Sequence, residues 1–320
     1  MSIITATGMV VLGIALLTFG GELLVKGAIE LARLAKVRPA VIGLTIVAFG
    51  TSMPEMAVSI FAAVGGNPDV ALGNVVGSNI LNVAVIVGLS ALITTLPVHG
   101  NAVRLEWPFM FLASLLALGF GLLGHVNQIQ GIFLVLLLIG FNWYIVTKAR
   151  PDVLGGSREA LASGVSHIVR ATLTPGVLIN LWWLTMGIVV LVIGGRILVT
   201  GAVELALLAR VSDRIIGLTI VAIGTSLPEL VTSLVAARKG HGELAVANVI
   251  GSNIFNILGV LGVVAIISPI RVSGAIELDM VWMLIFTIAL FPMMLNFRVS
   301  RREGAILLGG YLVYLFWLLR

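Results

Sequence analysis

The chain has 320 residues, 59% of them hydrophobic and only 10% charged, against about 25% charged in an ordinary soluble domain. So little polar surface excludes a soluble enzyme. At about 20 residues per span and about ten per turn, the length accommodates roughly ten transmembrane helices. The net charge of +5 is spread over single basic residues between apolar runs, not the basic stripe of a nucleic-acid-binding protein. With no cysteine, disulfides, thiolate metal sites and cysteine nucleophiles are excluded as well.

Apolar segments are expected near 6–32, 40–64, 70–97, 105–124 and 128–147. The first lacks a basic leader region, so no cleavable signal peptide is expected. A polar stretch follows at about 148–177, and further segments fall near 180–209, 214–237, 244–270, 278–297 and 304–319. With the N-terminus outside, thirteen lysines and arginines fall in inside loops and four outside. The positive-inside rule therefore puts both termini outside a cell (inner) membrane and the 148–177 loop in the cytoplasm.

The sequence matches itself at an offset of 174 residues. Residues 43–62 read GLTIVAFGTSMPEMAVSIFA and residues 217–236 read GLTIVAIGTSLPELVTSLVA, identical at thirteen of twenty positions. The match runs back to Gly13 with Gly187 and Gly20-Gly21 with Gly194-Gly195, and on to NVVGSNILN (74–82) with NVIGSNIFN (248–256). The matched residues are mainly Gly, Thr, Ser, Pro, Glu and Asn, so this is not apolar composition aligning with itself. Five spans per copy is an odd number, so the second copy enters the membrane from the opposite side. The expected fold is an all-α membrane protein of ten transmembrane helices in two inverted five-helix repeats, 1–147 and 178–320, joined by the 148–177 loop. Transporters built this way bind their ions at mid-membrane, where the repeats meet.

Of the fourteen acidic residues, Glu55 and Glu229 fall well inside the hydrocarbon, and they are repeat equivalents. An intramembrane carboxylate is costly and marks a functional site, and no Lys or Arg lies in either segment. In GTSMPE (50–55) and GTSLPE (224–229), Pro54 and Pro228 lack an N–H and crowd the carbonyl four residues back, at Gly50 and Gly224. A carbonyl freed in lipid needs a partner, and a cation is a suitable one. Thr51 and Ser52, repeated as Thr225 and Ser226, add hydroxyls at the same breaks. Thr51, Glu55 and Ser59 share one helix face, as do Thr225, Glu229 and Ser233.

On the third spans, Asn74, Ser78 and Asn82 form a stripe at a spacing of four, mirrored by Asn248, Ser252 and Asn256. Such small polar residues serve equally as packing glue, and Gly73, Gly77 and Gly251 would allow close helix approach. Asn79 and Asn253 lie about 100° off the stripe and read as structural. Carboxylates, hydroxyls, amide oxygens and carbonyls are hard ligands that suit Ca2+ or Na+ rather than copper or zinc. The four histidines lie at span ends or in loops and receive no role. Glu22 and Arg196 are repeat equivalents of opposite charge, expected to help set the balance between inward and outward states rather than bind ions; the plainer alternative is a pair between Glu22 and Lys26, four residues on.

GTSMPE with GNVVGSNILN, and GTSLPE with ANVIGSNIFN, resemble the two alpha repeats (43–82 and 217–256) of the cation/Ca2+ exchanger superfamily, most closely the prokaryotic Na+/Ca2+ exchangers. The resemblance spans nearly the whole chain. It implies four clustered cation positions. Glu55, Glu229 and the backbone oxygens of Thr51 and Thr225 would form the Ca2+ position. Ser52, Ser226, Ser78, Ser252 and the carbonyls of Ala48 and Ala222 would serve Na+, with Asn82 and Asn256 at the centre. The family often has Asp where this chain has Asn256. The Thr-Ser pairs look more like the Na+-coupled branch than the H+-coupled one. The first and sixth spans are implied to slide against the other eight.

The leading reading is a secondary antiporter that exports Ca2+ in exchange for Na+, with both ions as substrates and no cofactor. Two carboxylates neutralise one Ca2+ or two Na+, whereas the resemblance implies three Na+. An H+-coupled antiporter is the alternative, and a cation channel a weaker one, since a channel needs a continuous pore. No nucleic acid or obligate protein partner is expected beyond the lipid bilayer. No paired-aspartate or Ser/His constellation lies within the spans, so an intramembrane enzyme is not expected.

Overall fold

A computed structural model describes residues 2–148, 175–209, 222–272 and 274–318. Helix α1 (Ile3–Ala35) begins where the Thr5 N–H donates to the Ser2 hydroxyl and ends at Lys36, in the left-handed region at φ 53°. It is followed by α2 (Pro39–Thr51), α3 (Met53–Val64), α4 (Val70–Ile93) and α5 (Ala102–Leu122), then α6 (Gln128–Lys148) and α7 (Pro175–Leu208). The remaining helices are α8 (Ala222–Thr225), α9 (Leu227–Arg238), α10 (Gly242–Ile267), α11 (Gly274–Met294) and α12 (Arg301–Leu318). Among the described residues, seven helices are long and apolar enough to cross a membrane, or eight if α2 and α3 make one bent span. The chain is a multi-pass, mostly helical membrane protein.

Most of the expected 148–177 loop lies outside the described residues, and α7 already begins at Pro175. Two segments end earlier than their apolar runs. After Ile93 and after Ile267 the backbone turns extended, because Pro97 and Pro269 follow within four residues and cannot continue a helix.

Helices α4 and α10 form the centre. In their apolar windows 72% and 83% of residues are buried, against 22% for α1 and 28% for α7. A helix apolar all round belongs inside, and one with an exposed apolar face fits against lipid. Both central helices widen into π-helical turns at matching places, Asn82–Val87 and Phe255–Leu261. Such turns re-aim side chains and recur at functional sites.

Two short antiparallel strand pairs tie the sequence copies together. Leu96–Pro97 pairs with Arg298–Val299, and His125–Val126 pairs with Ile270–Arg271. Each joins a loop of the first copy to a loop of the second.

The long helices α1 and α7 lie against one another along a stripe of glycines seven apart. A Cβ on Gly13, Gly20 or Gly27 would press on the backbone of Leu198, Leu191 or Leu184, and one on Gly187, Gly194 or Gly201 on that of Leu24, Leu17 or Ala6. Association in lipid depends on such close backbone approach. A valine at Gly194 would meet Leu16 Cβ and the Leu17 nitrogen, both at 2.9 Å. Gly194→Val is therefore expected to force the helices apart at a cost of about 1–3 kcal/mol, lowering the Tm of purified protein in detergent. An unchanged Tm would contradict the tight seam.

Candidate cation site

The two breaks have the same local geometry. Helices α2 and α3 meet at Ser52 with a 40° bend, where Ser52 leaves helical geometry at φ −85°, ψ 8°. Helices α8 and α9 meet at Ser226, at φ −90°, ψ 9°. Pro54 and Pro228 sit in the first turn of α3 and α9, where a missing N–H costs nothing. The break thus falls at the serine, two residues beyond the glycine that the sequence marks.

This placement puts Glu55 and Glu229 in the first turns of their half-helices. The free N–H groups there and the positive end of the helix dipole favour an anion. Both carboxylates are fully buried. Each is also held by the serine of the other copy. Ser52 donates to Glu229 Oε1 at 2.8 Å, and Ser226 donates to Glu55 Oε1 at 2.9 Å. Ser78 Oγ lies 3.2 Å from Ser226 Oγ, so it joins the Glu55 side of the pair.

The stripe on the third spans divides by role. Asn74 donates to Ser59 Oγ at 3.0 Å and Asn248 donates to Ser233 Oγ at 3.2 Å. These bonds brace α4 to α3 and α10 to α9. Asn82 donates to Asn253 Oδ1 at 2.9 Å and Asn256 donates to Asn79 Oδ1 at 3.2 Å. Asn79 donates to the Asn253 carbonyl and Asn253 to the Asn79 carbonyl, both at 3.3 Å. Asn79 and Asn253, related by the 174-residue offset, thus bond to each other where the two sequence copies meet. Taken helix by helix, their place about 100° off the polar stripe shows no sign of this contact.

Five buried oxygens of the expected site residues have no hydrogen-bond partner: Glu55 Oε2, Glu229 Oε2, Asn82 Oδ1, Asn256 Oδ1 and Ser252 Oγ. All are hard acceptors or hydroxyls. The Thr51 hydroxyl turns to its own helix and donates to the Val47 carbonyl at 3.1 Å. The Ala48 carbonyl accepts the Ser52 N–H at 3.1 Å and also lies 3.4 Å from the Thr51 hydroxyl. In the other copy the Ser226 N–H donates to Ile223 instead. Ala222 and Thr225 bound the short helix α8.

Other expectations change. A Cβ on Gly73 or Gly77 would meet nothing within 4 Å, whereas one on Gly251 would strike α2 at Ala48 Cβ, 2.8 Å away. Only Gly251 of the three therefore serves close packing. Glu22 does not pair with Lys26. Its carboxylate is 3.9 Å from Lys239 Nζ at the end of α9, and the Lys26 ammonium lies 5.5 Å over the Trp183 ring. Glu106 is also buried, with His99 Nε2 3.5 Å from its Oε1, so one histidine has a carboxylate contact.

The sodium/calcium exchanger protein family matches residues 5–147 and 179–320. The chain belongs to this family. It is 38% identical to the putative antiporter CaxA of Alkalimonas amylolytica, over 97% of this chain and 98% of that one. It is 35% identical to the inner membrane protein YrbG of Escherichia coli (strain K12), over 98% and 97%. A structure of the sodium-calcium exchanger NCX_Mj soaked in 10 mM Na+ without Ca2+ superimposes with a TM-score of 0.84 at 30% identity, covering 98% of this chain and 99% of that one. Family and structure together support a cation/Ca2+ antiporter, a transporter whose cargo is the ion.

Glutamine at 55 or 229 keeps an acceptor for the facing serine but removes one of two buried charges. Glu55→Gln and Glu229→Gln are expected to elute and melt like the native protein while losing Ca2+ transport. Near-normal flux of radiolabelled Ca2+ in purified Glu229→Gln would contradict the role of the pair.

Proposed function

We propose that the protein exports Ca2+ against entering Na+ by alternating access at one mid-membrane site. The observation that carries this is the reciprocal Ser52–Glu229 and Ser226–Glu55 pair, flanked by oxygens that lack partners. A buried unsatisfied polar group costs about 1–3 kcal/mol, and a desolvated cation supplies the partner. Glu55 and Glu229, with the backbone oxygens of Thr51 and Thr225, take Ca2+. Ser52, Ser226, Ser78, Ser252 and the carbonyls of Ala48 and Ala222 serve Na+, and Asn82 and Asn256 stand between. Two negative charges neutralise one Ca2+ or two Na+, so the ions compete and exchange follows without a further device.

Ten spans in two inverted repeats complete the reading, with α2–α3 and α8–α9 each a broken span and 148–177 a cytoplasmic loop between repeats at 1–147 and 178–320. The strand pairs support it. With both termini outside, 96–97 and 298–299 fall in inside loops, while 125–126 and 270–271 fall in outside ones, so each pair joins loops on one face. Sliding of α1 and α7 is supported by their asymmetric seating. Gly50 packs on Ile188 of α7, and its equivalent Gly224 packs on Val199 of the same helix rather than on α1. One helix pair thus sits differently over two alike breaks, as expected of one end state of two.

Proteoliposomes loaded with Na+ should accumulate Ca2+ down the imposed Na+ gradient. Uptake driven by a proton gradient and indifferent to Na+ would assign the H+-coupled alternative instead. For orientation, an impermeant thiol reagent added outside cells should label His125→Cys and spare Arg298→Cys in this cysteine-free chain. The reverse pattern would invert the topology.

A further inference from the structure

We propose that Asn79 and Asn253 are positioning residues that fix which end of the Asn82 and Asn256 amides faces the ions. This rests on the reading of Asn82 and Asn256 as cation ligands.

An asparagine amide carries a donor end and an acceptor end of nearly the same shape. Only the acceptor end helps a cation, since the NH2 group turns positive hydrogens toward it. Something must therefore set the direction of each amide, and the choice here traces back to the backbone. A main-chain carbonyl only accepts. The Asn253 carbonyl fixes the NH2 of Asn79 toward itself, and the Asn79 carbonyl fixes that of Asn253. Both side-chain oxygens of this pair are then left as acceptors. Asn82 must offer its NH2 to Asn253 Oδ1 and Asn256 its NH2 to Asn79 Oδ1. Once those bonds are made, the only free ends are Asn82 Oδ1 and Asn256 Oδ1, both buried and without a partner.

The four asparagines thus form one directed chain of bonds. It starts at two carbonyls and ends at two oxygens available to an ion. All four residues are at most 1% exposed, so bulk solvent does not compete for the direction. Met283 Sδ, 3.6 Å from Asn79 Nδ2, is a weak acceptor and agrees with the same polarity. The chain also links the copies, because each outer amide is set by an asparagine of the other one. Without Asn253, Asn82 would lose the acceptor that holds its NH2, and nothing would keep that end from turning toward the ion.

Equilibrium Ca2+ binding to purified protein in Na+-free detergent tests this with a double-mutant cycle. Asn253→Leu, branched at the same carbon but without an acceptor, should weaken Ca2+ binding about 10–100-fold, as removal of a ligand-orienting partner does. The decisive readout is Asn82→Ala together with Asn253→Leu. If Asn253 acts through Asn82, the double variant binds no more weakly than Asn82→Ala alone. Costs that multiply, or an Asn253→Leu protein with native affinity, overturn the proposal. Where Asn253→Leu does not fold, Asn253→Ser withdraws the oxygen more gently, and the mirrored cycle of Asn79 with Asn256 repeats the test under the same criteria. Native protein that binds no Ca2+ would instead overturn the proposed function.

Discussion

Two fully buried carboxylates, Glu55 and Glu229, with no ion-pair partner among the described residues, set the constraint that the surrounding structure answers. An isolated ionised carboxylate in a low-dielectric medium is too costly to persist. Here the cost is offset only in part, and without a counter-charge from the protein, since one oxygen of each carboxylate has no hydrogen-bond partner. Breaking each helix just ahead of its glutamate turns a helix N-terminus and its free N–H groups onto the carboxylate. The serine at each break then crosses to the glutamate of the other copy. A lysine in this place would have satisfied the charge permanently. In the proposed site, serines and backbone dipoles leave the net charge for a mobile cation to neutralise.

The rest of the fold serves that arrangement at two levels. Helices α4 and α10 are the most buried of the long helices and carry the asparagine chain from one copy to the other, so the middle of the molecule is shared. Bracing by Asn74 and Asn248 ties these helices to the half-helices that hold the glutamates. Outside this centre, α1 and α7 pack backbone to backbone on their glycines, and as a pair they touch the two breaks unequally. Under the proposed alternating access, this closely packed pair on two alike breaks would supply two end states of similar energy. The Glu22–Lys239 pair lies between α1 and the end of α9. As an exposed pair it adds little stability.

Much of this is legible in the sequence because the gene-level repeat exposes it. A proline, a glutamate and a serine that recur at a fixed offset, among residues otherwise chosen for lipid, are hard to explain by packing. What stayed hidden depends on three-dimensional facing. Asn79 and Asn253 lie off the polar stripe when each helix is taken alone, yet they bond to each other where the two copies meet. The helix break falls at Ser52 and Ser226 because an early proline is compatible with a helix start, which a rule about prolines inside helices does not capture. Gly73 and Gly77 sit opposite nothing, and Glu106 is buried beside a histidine from a loop. Neither is visible without the neighbouring elements. Family membership adds the ion class to this picture and leaves its use of each oxygen to measurement.

The central claim is that Ca2+ and Na+ compete for one charge-limited set of oxygens. Titrating Ca2+ into purified protein at a series of Na+ concentrations tests it directly. The apparent Kd for Ca2+ should rise with Na+, and a plot of its logarithm against that of the Na+ concentration should approach a slope of about two or more, since ligands bound at one site exclude each other by mass action. A Kd for Ca2+ that does not change with Na+ would mean separate sites and would contradict the account.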